Sequence, residues 1–291
     1  MKCAADQVFS GERALFQSRD MRLDRCIFHD GESPLKESES IRLNGCLFQW
    51  KYPLWYCKNI QVQNSTWFEN ARAGVWYTRD ITLENCPIDA PKNFRRCENL
   101  RLTDVSFSNA AETLWECNGV TLDRVTAKGD YFAMNSREMV IDHFTLYGNY
   151  SFDGCENVTI RNSRLLSKDA FWNSRNITVE NSFIAGEYLG WNSENLILDH
   201  CTIESLQGLC YAKNLILRNC RLLNTTLAFE YSQVDAVICG RVESILNTQG
   251  GKITADEIGN LILEKEKIDP TKTEIQCPKI LKISERPDYH V

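Results

Sequence analysis

Proline and histidine are scarce in this chain, with seven and four copies in 291 residues. No apolar run reaches the length of a membrane-spanning helix, and no signal-peptide core follows Met1-Lys2-Cys3-Ala4-Ala5-Asp6. Membrane insertion is therefore not expected, and a cytoplasmic location is the reading. No basic run stands out, and 33 Lys and Arg against 39 Asp and Glu leave a net charge of −6. A nucleic-acid partner is not indicated. There is no CxxC pair to support zinc, no phosphate-binding glycine loop and no Gly-x-Ser-x-Gly elbow, so no metal or cofactor is expected.

What the chain does have is a repeat. The unit Asn-apolar-x-apolar-x-(Asn/Asp)-(Cys/Ser)-x-apolar recurs about every nineteen residues. Clear copies begin at Asn176-Ile177-Thr178-Val179, Asn195-Leu196-Ile197-Leu198 and Asn214-Leu215-Ile216-Leu217. A repeat this short cannot bury its apolar face alone and must stack on its neighbours as a solenoid. Coils start at Met21, Ile41, Ile60, Ile81, Leu100, Val120, Met139, Val158, Ile177, Leu196, Leu215 and Val234, and Ile253 starts a worn terminal coil.

Each start and the residue two later are apolar, with polar or β-branched residues between, as in Leu100/Leu102 and Val158/Ile160. That is a strand with one buried face. The fifth position is Gly45, Asn64, Asn85, Asp104, His143, Asn162, Asn181, His200 or Asn219, residues that tolerate the left-handed backbone of a sharp corner. His143 and His200 are read as corner residues. Asn162 and Asn181 are expected to stack their amides coil on coil. A second strand follows, carrying Phe28, Phe48, Trp67, Phe107 and Leu165 inward. After a variable stretch, a third strand is expected at Leu54-Trp55-Tyr56-Cys57, Val75-Trp76-Tyr77-Thr78, Leu114-Trp115-Glu116-Cys117 and Phe171-Trp172-Asn173-Ser174.

Most of the thirteen cysteines occupy two columns of this repeat. Cys26, Cys46, Cys86, Cys201, Cys220 and Cys239 form one, and Cys57, Cys97, Cys117 and Cys155 the other. The expectation is reduced thiols acting as small hydrophobes in a narrow core. Coils about 4.8 Å apart would also allow disulfides between neighbours. The odd cysteine count and the lack of an export signal argue against them.

Three strands and three corners per coil define the fold class: all-β, a single-stranded right-handed parallel β-helix of about twelve coils with about nineteen residues each. A leucine-rich repeat shares the string Leu215-x-Leu217-x-x-Cys220-x-Leu222, but nineteen residues leave too little chain for its convex segment. A left-handed β-helix needs a six-residue sub-period that is not found. The expectation is one domain over 1–291, with a cap or first coil at 1–20, regular coils at 21–252, and a terminal coil, cap and tail at 253–291. The coil with its Asn corner resembles the pectin-lyase-like β-helix superfamily. The N-[IVL]-x-[LIV]-x-N-[CS] unit with its Phe/Leu-Trp-x-Cys/Ser element resembles, more narrowly, an uncharacterised bacterial family classed as a domain of unknown function.

In polysaccharide-active members of that superfamily, substrate lies along the strand after the variable loop. The resemblance thus points to the third strand and its preceding loop. Tyr131, Tyr150, Trp172, Tyr188, Trp191 and Lys168 are the candidate substrate-binding residues, since aromatic rings stack on sugar faces. Asp130, Asp153, Asp169 and Glu187 are the candidate acids, bases or nucleophiles. Lys168 and Glu187 are also expected to form a surface ion pair. If buried in its aromatic column, Asp153 would have a raised pKa suited to an acid. The Trp column (Trp55, Trp76, Trp115, Trp172, Trp191) is read either as core or as an exposed platform.

Two functions remain open on these residues. One is carbohydrate binding, with lyase or hydrolase chemistry if there is turnover. The alternative is a non-catalytic β-helix scaffold for protein–protein contact. Homo-oligomers through a flat face fit either.

Overall fold

In the computed structural model, which describes residues 2–285, the chain is a parallel β-solenoid of about 15 turns with ~19 residues per turn. The expected tail Arg286-Pro287-Asp288-Tyr289-His290-Val291 lies outside the described residues. The turns gather into two compact units, Met1–Gly148 and Asn149–Val291.

In the Met1–Gly148 unit the first side of the coil is built from strands such as Glu39–Asn44, Lys58–Gln63, Glu98–Phe107 and Arg137–Asp142. They pair in parallel and in register, so Ile41, Ile60, Ile81, Leu100, Val120 and Met139 form one inward column. Leu43, Val62, Leu83, Leu102, Leu122 and Ile141 form the next. Members of both columns are no more than 2% exposed. Each such side chain contributes roughly 1.5–3 kcal/mol by leaving water. On the second side Phe9, Phe28, Phe48 and Trp67 stack ring on ring, with centroids 5.5, 5.0 and 4.4 Å apart.

The Asn149–Val291 unit repeats the plan. Val158, Ile177 and Leu196 align, as do Ile160, Val179, Leu198, Leu217, Ala236 and Ile253. The worn coil expected at Ile253 is a full strand, Gly250–Ile262, and a further turn follows in Thr273–Gln276 and Ile280–Ser284. Residues 1–20 likewise supply a paired turn, Lys2–Ala5 and Val8–Phe9. These end turns raise the coil number above the expected twelve.

The corners follow the sequence reading. Asn64, Asn85, Asp104, Asn162, Asn181 and Asn219 all have φ between 48° and 53°. In the second unit an amide ladder also runs through the residue before each strand's first apolar position. Asn176, Asn195 and Asn214 each donate Nδ2–H to the Oδ1 of the coil before, at 2.8, 2.8 and 2.7 Å.

None of the thirteen cysteines is in a disulfide, and ten are buried. Burial pushes the Cys57 and Cys210 thiols up to about 12. Cys239 departs from its column and is exposed. The pairing shifts between Leu217 and Cys220, so Ile238 lies opposite Cys220 and takes the expected place of the thiol.

The third side also departs from expectation. Among the described residues of this side, Leu54–Trp55 and Val75–Trp76 are strands, joined by isolated bridges at Arg95 and Trp115. The segment 171–174 is turn rather than strand. Alternate residues are left-handed here, as at Asp169 (φ 54°), Phe171 (62°) and Asn173 (51°). Their amides reach both neighbouring coils: Asp169 N–H donates to Glu187 O at 2.8 Å, and Phe171 N–H to Ser151 O at 2.9 Å. The side is a ladder of tight turns rather than a pleated strand.

Candidate functional site

That turn geometry decides where the tryptophans go. In a strand, Trp55 and Cys57 would share a face. Here Leu54 and Cys57, three apart, are both buried, while Trp55 and Tyr56 face outward. Phe171 and Ser174 bracket Trp172 and Asn173 in the same way. The Trp column is therefore neither core nor a free platform. Each indole lies half-buried along the outside and donates Nε1–H to a backbone carbonyl one coil on. The acceptors are Ala73 for Trp55 (2.6 Å), Lys92 for Trp76 (2.9 Å), Tyr131 for Trp115 (2.6 Å), Tyr188 for Trp172 (3.2 Å) and Gln207 for Trp191 (2.7 Å). All five acceptors have positive φ. The indoles thus satisfy corner carbonyls.

In the Met1–Gly148 unit the ring faces are mostly used up. Trp55 stacks on Trp76 at 5.0 Å, and the Arg95 guanidinium lies between Trp76 and Trp115, 4.7 and 4.6 Å from their centroids. A parallel pair, Tyr56 on Tyr77 at 4.7 Å, is covered by Lys36 and Arg96. Tyr131 is exposed, with its carbonyl engaged by Trp115, and Asp130 beside it is exposed too.

In the Asn149–Val291 unit the aromatic run stays more open. Trp172 stacks on Trp191 at 5.9 Å, and Trp191 meets Tyr211 at 5.1 Å with the rings tilted 58°. Tyr211 meets Tyr231 at 5.5 Å and is 41% exposed. Tyr188 lies edge-on to Trp191, with Lys168 over its ring at 5.1 Å. The expected Lys168–Glu187 ion pair is present at 3.2 Å, on an exposed surface where such pairs contribute little. Asp153 is half-exposed rather than buried, because its column faces outward. Its Oδ1 accepts from Asn173 Nδ2 at 3.2 Å.

Among the described acids only two are buried, and both lie on this side of this unit: Asp169, 3% exposed, and Glu230, 9% exposed. Asp169 holds the left-handed turn position that Tyr150 holds one coil before and Tyr188 one coil after. Burial raises its pKa, with the Lys168 cation opposing. Burial likewise raises Glu230, opposed by Lys267 and reinforced by Glu264, with Gln207 hydrogen-bonded to it. Glu264 is pinned by Asn247 Nδ2 at 2.5 Å and Lys267 Nζ at 2.9 Å.

Asp169 was legible in the sequence as an acid in a tyrosine column. Glu230, Tyr211 and Tyr231 were not, because coils near 210 and 230 depart from the Trp-x-Ser register. Their only signal is the string Phe229-Glu230-Tyr231-Ser232, which repeats Phe-x-x-Ser.

Among the described residues, one cluster brings metal-ligand atom types together. Asp123, Asp142 and His143 place one ligand-type atom each within 4.8 Å of one another. Asp123 is already paired with Arg124, and Asp142 with His143 at 3.2 Å. No helix among the described residues is long and apolar enough to cross a membrane.

Fold and site together define a parallel β-solenoid with one lateral side of aromatic rings and shielded acids. The chain belongs to the family described as protein of unknown function DUF3737, whose model matches residues 2–276. No curated protein matches it. Among solved structures, it is similar to the Azotobacter vinelandii mannuronan C-5 epimerase AlgE4 A-module. Identity there is 10% over 99% of this chain and 88% of that one, with a TM-score of 0.28. It is also similar to QnrB1, a plasmid-mediated fluoroquinolone resistance protein, at 12% identity over 76% and 92% of the two chains, with a TM-score of 0.23.

Proposed function

We propose that this chain binds glycans along the third side of its Asn149–Val291 unit, across Trp172, Trp191 and Tyr211. The observation that carries the reading is the open run of rings Trp172, Trp191 and Tyr211, on a side that also holds Asp169 and Glu230, the two buried acids among the described residues. Sugars present apolar faces to aromatic rings and hydroxyls to carboxyl oxygens. The resemblance of the coil to pectin-lyase-like β-helices supports the same side. An acid held toward its protonated form can protonate a leaving sugar oxygen, so lyase or hydrolase activity at Asp169 or Glu230 fits the site.

A glycan array probed with the full chain, followed by a structure with the best hit, tests the reading. Ordered sugar over Trp191 and Tyr211, lost in Tyr211→Ala, is the expected result. No binding to any glycan would sink it.

One observation favours the non-catalytic scaffold for the Met1–Gly148 unit. Its ring faces are occupied by one another and by Arg95, Lys36 and Arg96, which leaves edges rather than faces to a partner.

A further inference from the structure

Two buried cysteines of the Asn149–Val291 unit stand directly over one another. Asp199 pairs with Arg218 and Thr202 with Arg221, so Cys201 faces Cys220 one coil on. Parallel neighbours lie about 4.8 Å apart, inside the Cα window of about 4.4–6.8 Å that a disulfide spans. Cys201 Sγ lies 3.3 Å from the Val179 carbonyl oxygen, and Cys220 Sγ 3.2 Å from that of Leu198, so both side chains point the same way. The sulfurs are in contact, with the Cys220 thiol donating a hydrogen bond to the Cys201 sulfur. That bond holds the Cys201 thiol below its ordinary range against the effect of burial, and it pushes Cys220 up. The pair thus has one sulfur suited to attack and a second placed to resolve it.

Cys97 and Cys117 of the Met1–Gly148 unit are stacked and in contact in the same way. There burial pushes the Cys97 thiol well up, and the next coil continues in step, with Cys117 N–H donating to Ser136 Oγ at 2.9 Å. Beyond Cys220 the ladder slips instead: Leu217 pairs with Ala236 but Cys220 with Ile238, one residue short. A slipped register leaves the ladder locally disrupted. On the other flank His200, the residue before Cys201, is an exposed left-handed corner at φ 50°. Cys201 therefore sits one residue below solvent, in a pair whose outer neighbour is out of step.

We propose that Cys201 and Cys220 are a peroxide-sensitive dithiol that closes to a disulfide between neighbouring coils. The Cys201 sulfur attacks one oxygen of hydrogen peroxide. An S–O bond forms, the O–O bond breaks, and the departing hydroxide takes the Cys201 proton and leaves as water. The Cys220 sulfur then attacks the Cys201 sulfur. The S–S bond forms, the S–O bond breaks, and a second water leaves with the Cys220 proton. Two thiols are oxidised and one peroxide is reduced to two waters.

The test is peptide mapping of the reduced full chain after graded hydrogen peroxide, with the remaining thiols alkylated and no reductant in the digest. The Cys201–Cys220 linked peptide should appear at lower peroxide than any Cys97–Cys117 link and should be lost on adding dithiothreitol. Cys220→Ser should trap a sulfenic acid at Cys201 that a dimedone probe labels, whereas Cys201→Ser should leave Cys220 unlabelled. The wild-type map carries the result even where a variant folds poorly. Peroxide consumed at Cys3, Cys239 and Cys277 alone, the three cysteines that are not buried, overturns the proposal. So does a Cys201–Cys220 link that forms only in denaturant, or no earlier than the Cys97–Cys117 link.

Discussion

The indole Nε1–H of Trp191 donates to the backbone carbonyl of Gln207, one coil on, at 2.7 Å. Gln207 is left-handed, with φ 49°, so its carbonyl belongs to a corner turn rather than to a strand ladder. A ring that looks like a ligand platform is thus also a fastener between coils.

Trp191→Phe keeps a ring and removes the donor. It should lower stability by about 0.5–1.5 kcal/mol, the usual net worth of one hydrogen bond. Trp172→Phe, whose bond is longer at 3.2 Å, should cost less. Urea midpoints of the two variants, measured side by side, check the order.

The Asn176 amide accepts from Asn195 and donates to Asn157, and its backbone sits at φ 55°. Asn176→Ala loses both bonds and the asparagine's tolerance of the left-handed region, for a loss of about 1–3 kcal/mol from two bonds plus roughly 1 for the backbone. Asn176→Gly loses the bonds alone. A glycine variant no more stable than the alanine variant would remove the backbone part of this account.

Gly186 has φ 156°, and a Cβ built there would lie 2.0 Å from the Ser167 carbonyl oxygen. That neighbour is backbone and cannot swing aside, so the coils must separate locally. Gly186→Ala should destabilise by more than about 2 kcal/mol. Thermal melts of the purified variant would show it.

Asp169 has a folded pKa raised above its unfolded value. Such a group stabilises most below the unfolded pKa of about 3.9, and that contribution is lost as pH rises through the folded value. Above that window the charged carboxylate opposes folding, so Asp169→Asn should stabilise the chain at neutral pH. The gain should vanish below about pH 4. Denaturant midpoints of both proteins across pH give the sign directly.

Ten buried cysteines and three others, Cys3, Cys239 and Cys277, predict a sharp split in thiol reactivity. Native protein should release three fast thiols to an aromatic disulfide reagent, and all thirteen only after unfolding. A fourth or fifth fast thiol would mean that a coil is open in solution.

Much of this was legible without coordinates. Ile177, Leu196 and Leu215 stand at a fixed interval of nineteen residues, and strands that repeat at a fixed interval with one apolar face have one way to bury it. Asn64 and Asn181 stand where only a left-handed corner suits them. The third side was not legible, because its period is not a strand's. Reading Trp55 and Cys57 as alternate residues put both on one face, whereas successive left-handed turns place Leu54 and Cys57 inside and Trp55 out. The exposure of Asp153 follows from the same turns.

By itself, then, the sequence determined the solenoid, its coil length, its inward columns and its corner residues. These depend on periodicity and on local backbone preference, which are properties of the chain read along its length. Only the tertiary structure decided that the tryptophans brace carbonyls, that Asp169 is buried while Asp153 is not, and that Glu230 joins Tyr211 and Tyr231. Burial and desolvation depend on what the neighbouring coils lay over a side chain, and no single repeat encodes that.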